Sequence, residues 1–210
     1  IAKRSPCVAG HILPTVQLIG AQKAGSSSLH ADLLRHIPRT AQAVNAHRGN
    51  FSKEPAFYNK EVTFFNKRKR YAQGSAFYAA HFGRCSSRKI GVDATPDYLR
   101  DPRAPARMQN TFRDYPGAPK FVVILRDPVD RARSWFNHFG LAWKWNVGGK
   151  RKSIEAWAAG RLAKIAARCP TLARNDTSRA CDAWLADAGT GQKGPIVAGL
   201  YARQLRRFLA

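Results

Sequence analysis

The chain has 210 residues, enough for one domain with a substantial core, and no shift in composition marks a second. Apolar residues make up 44% and charge is spread throughout, which excludes a disordered polyelectrolyte. With 36 Lys and Arg against 13 Asp and Glu, the formal charge of +23 attracts polyanions of every kind without choosing among nucleic acid, anionic membrane and acidic polysaccharide.

Residues 1–14 are basic, punctuated by Pro6, Gly10 and Pro14, and read as a lead-in segment to a domain over 15–210. The first residue is Ile1, and there is neither an apolar signal region nor an 18-residue apolar run. Any signal or membrane anchor is therefore expected outside this chain. From Thr15 to Leu34 the sequence TVQLIGAQKAGSSSLHADLL predicts a strand over 15–19, a tight loop and a helix over 26–36 that Pro38 stops. That order builds an anion site, because glycines let backbone N–H groups turn inward and the positive end of the helix faces the same point. Gly20 and Gly25 keep the four-residue gap of a nucleotide-hydrolysing P-loop, but Ser26 stands where its Lys belongs and Lys23 lies inside the loop. An ATPase or GTPase is disfavoured; an ordinary glycine-rich turn with a solvated Lys is the alternative.

Residues 37–59 show little periodicity around the string FSKEPAFYN. Residues 64–89 are mixed and basic, either a substrate-facing rim or a solvated face, with Phe77, Tyr78 and Phe82 predicting a short packed helix. Ile90 to Asp93 reads as a buried strand handing over to a loop at its C-terminal end, where open α/β sheets place ligands. A helix over 104–115 follows. Lys120 to Leu125 is the clearest strand, expected to be buried on both faces. It leads into Arg126, with Asp127 as a cap, Pro128 at the first helical position and Asp130 in the first turn. That helix is expected to run to about Trp145, with Trp135, Phe136 and Phe139 on its core face, and further helices are expected over 153–167 and 196–209. Strands alternating with helices predict an α/β fold with a parallel sheet between helical layers.

The four cysteines, Cys7, Cys85, Cys169 and Cys181, have no C-x-x-C spacing and no His at ligand distance, so no metal site is expected. Cys169 and Cys181 bracket a polar segment that a disulfide can close. Asn175 and Asn50 each begin a glycosylation sequon, and the first lies inside that loop, which favours a secretory lumen. Two phosphate-type sites emerge: Lys23 to Ser28, and Arg126 with Ser134 about two helical turns beyond it. A ligand with two separated anionic groups would use both.

In that order, the strings IGAQKAGSSSL, KEPAFY, DATPDYL, RDPVDRARSWF and GLYARQLRRFL resemble the carbohydrate sulfotransferases that use 3′-phosphoadenosine 5′-phosphosulfate (PAPS), nearest to the heparan sulfate O- and N-sulfotransferase type. The resemblance runs from about Pro14 to the last residue and implies a P-loop-like three-layer α/β/α fold with a central parallel sheet. It implies that Lys23, Ala24, Gly25, Ser26, Ser27 and Ser28 hold the 5′-phosphosulfate, Lys23 also neutralising the departing phosphate oxygen, and that Arg126 and Ser134 hold the 3′-phosphate. Glu54 would be the general base, and Phe57, Asp93, Thr95 and Pro96 would line the acceptor side. The implied product is adenosine 3′,5′-bisphosphate, with no metal. The acceptor would be a hydroxyl, or an amine, of a carbohydrate, an acidic polysaccharide rather than nucleic acid, and the setting the Golgi lumen or secretory pathway, with membrane contact only through an anchor outside this chain.

The chain departs from the family's 3-O type at Ala56, where those relatives have His, and at Asp93-Ala94, where they carry Glu-Lys before Thr-Pro. It also stops at Ala210 where relatives continue, which implies a C-terminally incomplete domain. Asp93 either orients Lys23 or another basic neighbour or takes part in chemistry, and Thr95 and Tyr98 either meet substrate or pack the loop. His47 is the rival base. A kinase-like P-loop transferase and a non-catalytic polyanion-binding module are the rival functions.

Overall fold

In the computed structural model, residues 6–43, 60–85, 89–115, 119–142, 146–147, 150–151, 153–170, 181, 184–185 and 194–209 are described. The chain divides into two compact units, one of residues 1–99 and 103–125, the other of residues 100–102 and 126–210.

The first unit opens with an antiparallel hairpin, β1 (Cys7–Val8) and β2 (His11–Ile12), whose turn residues Ala9 and Gly10 both have positive φ, 48° and 76°. That geometry suits a two-residue hairpin loop, and Gly10 takes it without strain. A disulfide ties Cys7 to Cys85. Its centre is a sheet of four parallel strands: β3 (Val16–Gly20), β4 (Thr40–Gln42), β5 (Ile90–Asp93) and β6 (Lys120–Val123), in the order β4-β5-β3-β6. β3 is flanked on both sides, with Val16 opposite Val92 and Lys120, and its Leu18 and Ile19 are fully buried. Helix α1 (Ser26–His36) ends where the Ile37 N–H bonds back to the Leu33 carbonyl, with Pro38 next.

The short helices α2 (Arg68–Tyr71) and α3 (Gly74–Ala79), with a 3₁₀ turn at Ala80–Phe82, bring aromatic rings against the sheet. Phe64 stacks on Tyr78 with centroids 4.5 Å apart, and Phe65 meets Tyr98 edge-on at 5.3 Å. Helix α4 (Ala104–Phe112) buries Ala104, Met108 and Phe112, one residue per turn on a single face.

Two expectations change here. β4, only three residues long, forms in a stretch without periodicity because β5 lies beside it, Thr40 opposite Ile90. β6 stops at Val123 and is exposed on its outer side: Phe121 is 40% and Leu125 46% exposed. Among the described residues β6 pairs with β3 alone, so an apolar run expected to be buried on both faces is an edge strand.

The second unit is helical. It contains α5 (Pro128–Ala142), a small hairpin of β7 (Asn146–Val147) and β8 (Lys150–Arg151), α6 (Ile154–Arg168) and α7 (Tyr201–Leu209). The Ser153 hydroxyl caps α6 by accepting from the Ala156 N–H at 3.2 Å. Trp135 and Trp157 stack at 6.1 Å, and Phe136 packs on Trp157. Cys169 is disulfide-bonded to Cys181 in a cluster with Leu185 and Val197. The last helix, expected from 196, is interrupted: a 3₁₀ turn at Val197–Gly199 gives way at Leu200, where ψ is 63°. Gly199 passes close to Pro128, whose Cβ would lie 3.0 Å from any added Cβ. No helix among the described residues is long and apolar enough to cross a membrane.

Candidate functional site

β3 delivers the chain into the anion loop. At Gly20 an added Cβ would lie 2.6 Å from the Leu99 Cβ, so no larger residue fits without displacement. The Ile124 N–H donates to the Gly20 carbonyl at 2.8 Å and the Ala21 N–H donates to the Ile124 carbonyl at 2.7 Å, anchoring the loop's first residues. The loop then turns through two left-handed residues, Lys23 at φ 69° and Gly25 at φ 103°. Ala24 and Ser26 are buried beneath it, while Gly25, Ser27 and Ser28 are exposed. Gly25 is the N-cap of α1 and offers no side-chain cap. The first-turn N–H groups of Ser26, Ser27 and Ser28 have no intrahelical acceptor, and the helix dipole adds positive potential at the same point. The loop can thus receive an anionic oxygen, with two exposed serine hydroxyls beside it.

A second constellation lies at the end of β5 in the same unit. Asp93 is fully buried, and its carboxylate accepts from the Thr95 hydroxyl at 2.6 Å and from the Tyr78 and Tyr98 hydroxyls, each at 2.8 Å. Burial pushes the Asp93 carboxyl up, against three hydroxyl bonds and the Lys60 charge that pull it down. Burial, reinforced by the Asp93 charge, also holds both phenols well above their ordinary range, so they remain donors.

Those hydroxyls also work outward. The Thr95 oxygen accepts the Thr63 N–H at 3.2 Å, and the Tyr98 oxygen accepts the Phe64 N–H at 2.9 Å. The Ala94 N–H donates to the Lys60 carbonyl at 3.3 Å, and Lys60 Nζ donates back to the Ala94 carbonyl at 3.1 Å. Residues 60–64 are thereby stitched onto residues 93–98. Asp93, Thr95 and Pro96, expected on the acceptor side, are all buried in this structure. Asp93 is the hub of that stitching through its three hydroxyl partners.

What the stitching holds in place is Glu61, a residue the sequence reading passed over. Its carboxylate accepts from Lys60 Nζ at 3.1 Å. Burial pushes the Glu61 carboxyl up, opposed by Lys60 and reinforced by Asp97 and Asp93. On α1, His30 is 6% exposed, its Nε2 makes no hydrogen bond, and burial together with the Lys60 charge lowers its pKa to about 4. The available signal was a Lys-Glu pair directly ahead of the apolar run Val62 to Phe65, charged residues where the chain enters the core.

The second phosphate-type motif lies in the second unit. Arg126 is exposed and its carbonyl accepts the Tyr201 hydroxyl at 2.9 Å. Asp127 Oδ1 accepts the Val129 and Asp130 N–H groups, both at 2.9 Å, so the expected cap forms and Pro128 opens the helix. Ser134 is partly buried on α5. The same unit carries a small pocket lined by Arg100, Arg203 and Arg207 over Leu185, Val197 and Leu200; burial lowers both Arg203 and Arg207, helped by the Arg206 charge at the first and the Arg203 charge at the second. Glu54, Phe57, His47, Asn50 and Asn175 lie outside the described residues. Among the described residues no group of His, Cys, Asp and Glu gathers as metal ligands.

A parallel sheet flanked by helices, with a glycine-bounded anion loop between its central strand and first helix, defines a P-loop-like α/β protein. The solved structure of a sulfotransferase from Alicyclobacillus acidocaldarius shares the fold, with a TM-score of 0.51 and 23% identity over 93% of this chain and 68% of that one. No protein-family model matches the chain. Among curated proteins it is 33% identical over 134 residues to the membrane-associated sulfotransferase kil1 of Dictyostelium discoideum, covering 62% of this chain and 24% of that protein. It is 34% identical over 126 residues to the bifunctional heparan sulfate N-deacetylase/N-sulfotransferase 1 of Caenorhabditis elegans, 60% of this chain and 13% of that one. Over 122 residues it is 32% identical to the human heparan sulfate glucosamine 3-O-sulfotransferase 3B1, 58% and 26% respectively. The matched stretch thus spans about a quarter or less of each of these relatives. Within the P-loop-like class, the chain is similar over about three fifths of its length to proteins named as sulfotransferases, two of them for heparan sulfate.

Proposed function

We propose that this protein transfers a sulfuryl group from PAPS to a hydroxyl, or an amine, of an acidic polysaccharide in the Golgi lumen or secretory pathway. The observation that carries the reading is the uncapped start of α1 behind left-handed Lys23 and Gly25, in the same unit as the partly buried carboxylate of Glu61. The similarity to sulfotransferases supports it, the charge of +23 suits an acidic polymer, and two disulfides suit an oxidising compartment.

Bound at the loop, PAPS supplies an activated sulfuryl group. Residues 25–28 would offer backbone N–H groups and hydroxyls to its 5′ end, the Ala24 N–H being taken by the Ala21 carbonyl at 3.1 Å, and the Lys23 ammonium would offset the negative charge that grows on the departing phosphate. Arg126 and Ser134 are assigned to the 3′-phosphate by their motif, as a forked cation and a hydroxyl. Sulfuryl transfer then needs one proton acceptor for the attacking hydroxyl. Glu54 is the carboxylate the resemblance implies; Glu61 is the one whose surroundings favour the task, because a carboxylate with a raised pKa is a stronger base.

The test has two readings. Adenosine 3′,5′-bisphosphate is expected to raise the melting temperature, and Lys23→Ala to abolish the rise; a larger rise with ATP and magnesium would point to a kinase instead. With labelled PAPS and a desulfated heparan chain, Glu61→Gln is expected to lose about two to four powers of ten in rate while keeping the ligand-induced rise. If Glu54→Gln loses the rate and Glu61→Gln does not, the base is Glu54.

A further inference from the structure

Glu61 is not held by its own segment alone. Its neighbour Lys60 is itself buried, 5% exposed, and is fixed to Ala94 at two points: its carbonyl accepts the Ala94 N–H and its ammonium donates to the Ala94 carbonyl at 3.1 Å. The same ammonium donates to Glu61 Oε1 at 3.1 Å. Lys60 therefore bridges a backbone atom of rigid origin, one residue beyond β5, and the carboxylate of Glu61.

We propose that Lys60 is the positioning residue that keeps Glu61 ionised and aimed. The inference rests on the reading of Glu61 as proton acceptor. A buried ammonium with two oxygen partners is costly to place unless its charge is used, and breaking such a pair leaves the other charge uncompensated. The titratable and charged groups that act on this pair, among the described residues, are His30 from α1 and Asp93 and Asp97 from β5 and the loop after it. His30 stays neutral at working pH, so it does not compete for the carboxylate. Asp97 and Asp93 both push Glu61 toward its protonated form. Among these groups Lys60 alone pulls the other way.

The experiment compares wild type with Lys60→Gln, which keeps a donor for the Ala94 carbonyl but removes the charge, and Lys60→Arg, which keeps the charge. The acid limb of kcat/KM against pH is expected to move up by about one to three units in Lys60→Gln, the size of a neighbouring charge effect, and to stay near wild type in Lys60→Arg. Loss of rate with an unmoved limb in Lys60→Gln would make Lys60 merely structural and overturn the proposal. A second readout does not depend on activity: the Glu61 carboxyl titration by carbon NMR, assigned by its loss in Glu61→Gln, is expected to shift up in Lys60→Gln. An unshifted titration overturns the proposal equally. If adenosine 3′,5′-bisphosphate fails to stabilise the wild type, the sulfotransferase reading falls, while the carboxyl titration still decides what Lys60 does to Glu61. Should Lys60→Gln not fold, Lys60→Met takes its place in both readouts.

Discussion

The two strand-to-helix junctions each place a basic residue, Lys23 or Arg126, between strand and helix, and do opposite things with the helix start. At Gly20 to Ser26 the cap position is a left-handed glycine with no side chain to offer, and the first-turn N–H groups of α1 stay open. At Arg126 to Val129 the Asp127 carboxylate takes two of the first-turn N–H groups of α5, and Asp130 adds a second negative charge to that turn. A helix start satisfies an anion only once. The first junction is therefore open to a charged oxygen from outside, whereas the second already holds one of its own. On the proposed function, phosphate binding at the second junction would come from the Arg126 and Ser134 side chains rather than from the helix N-terminus.

The most damaging way to break this contrast is to give the first junction what the second has. Gly25→Asp places a carboxylate where the ligand's anionic group would sit, and like charges brought together cost several kcal/mol, on the order of a hundredfold or more in affinity. Titration calorimetry with adenosine 3′,5′-bisphosphate is expected to show that loss, with the variant still folded because Asp tolerates left-handed backbone better than most residues. Unchanged affinity in Gly25→Asp would mean that the open helix start is not the anion site.

A second effect concerns pH and the same helix. His30 ionises near pH 4 in the folded chain and near 6.5 when unfolded, so between these values the unfolded chain binds the extra proton. Its contribution is present in full above 6.5 and is lost as pH falls toward 4. Urea denaturation across that window is expected to give stability rising with pH, and His30→Gln is expected to flatten the rise. A variant with the wild-type slope would mean that His30 does not titrate as its burial implies. Glu61 and Asp93, whose pKa values are raised, act in the opposite sense: each disfavours the fold as pH climbs through its own range.

What could be read from the sequence is what depends on near neighbours. The strand, loop and helix over 15–36 announce themselves through an apolar run, two glycines and leucines at helical spacing, and Asp127-Pro128 announces a capped helix in two residues. Elements fixed by distant partners were not legible. β4 exists because Ala41 lies opposite Gly91, Cys7 meets Cys85 across 78 residues, and the outer exposure of β6 depends on what does not pair with it among the described residues. The candidate site divides the same way. Lys23 and Gly25 are local to their loop, but the standing of Glu61 is set by Ala94 and Tyr98, each 34 positions from its partner in the segment. A motif such as KEPAFY draws the eye to Glu54, whereas the environment that changes a carboxylate's basicity is visible only once the chain has folded back on itself.

The smallest effect sharpens the contrast from the other side. Asp127→Ala removes the cap of α5 and reopens the Val129 and Asp130 N–H groups, which should cost about 1 kcal/mol of stability. Because the helix start is then available, any loss of affinity for adenosine 3′,5′-bisphosphate is expected to be absent, and a modest gain is consistent with the same physics, since one negative charge near Arg126 has gone. Arg126→Ala measured alongside should lose affinity, because the side chain is the proposed ligand. If Asp127→Ala weakens binding as much as Arg126→Ala does, the carboxylate orients the arginine and the second junction works as a unit rather than as a self-satisfied cap with an arginine beside it.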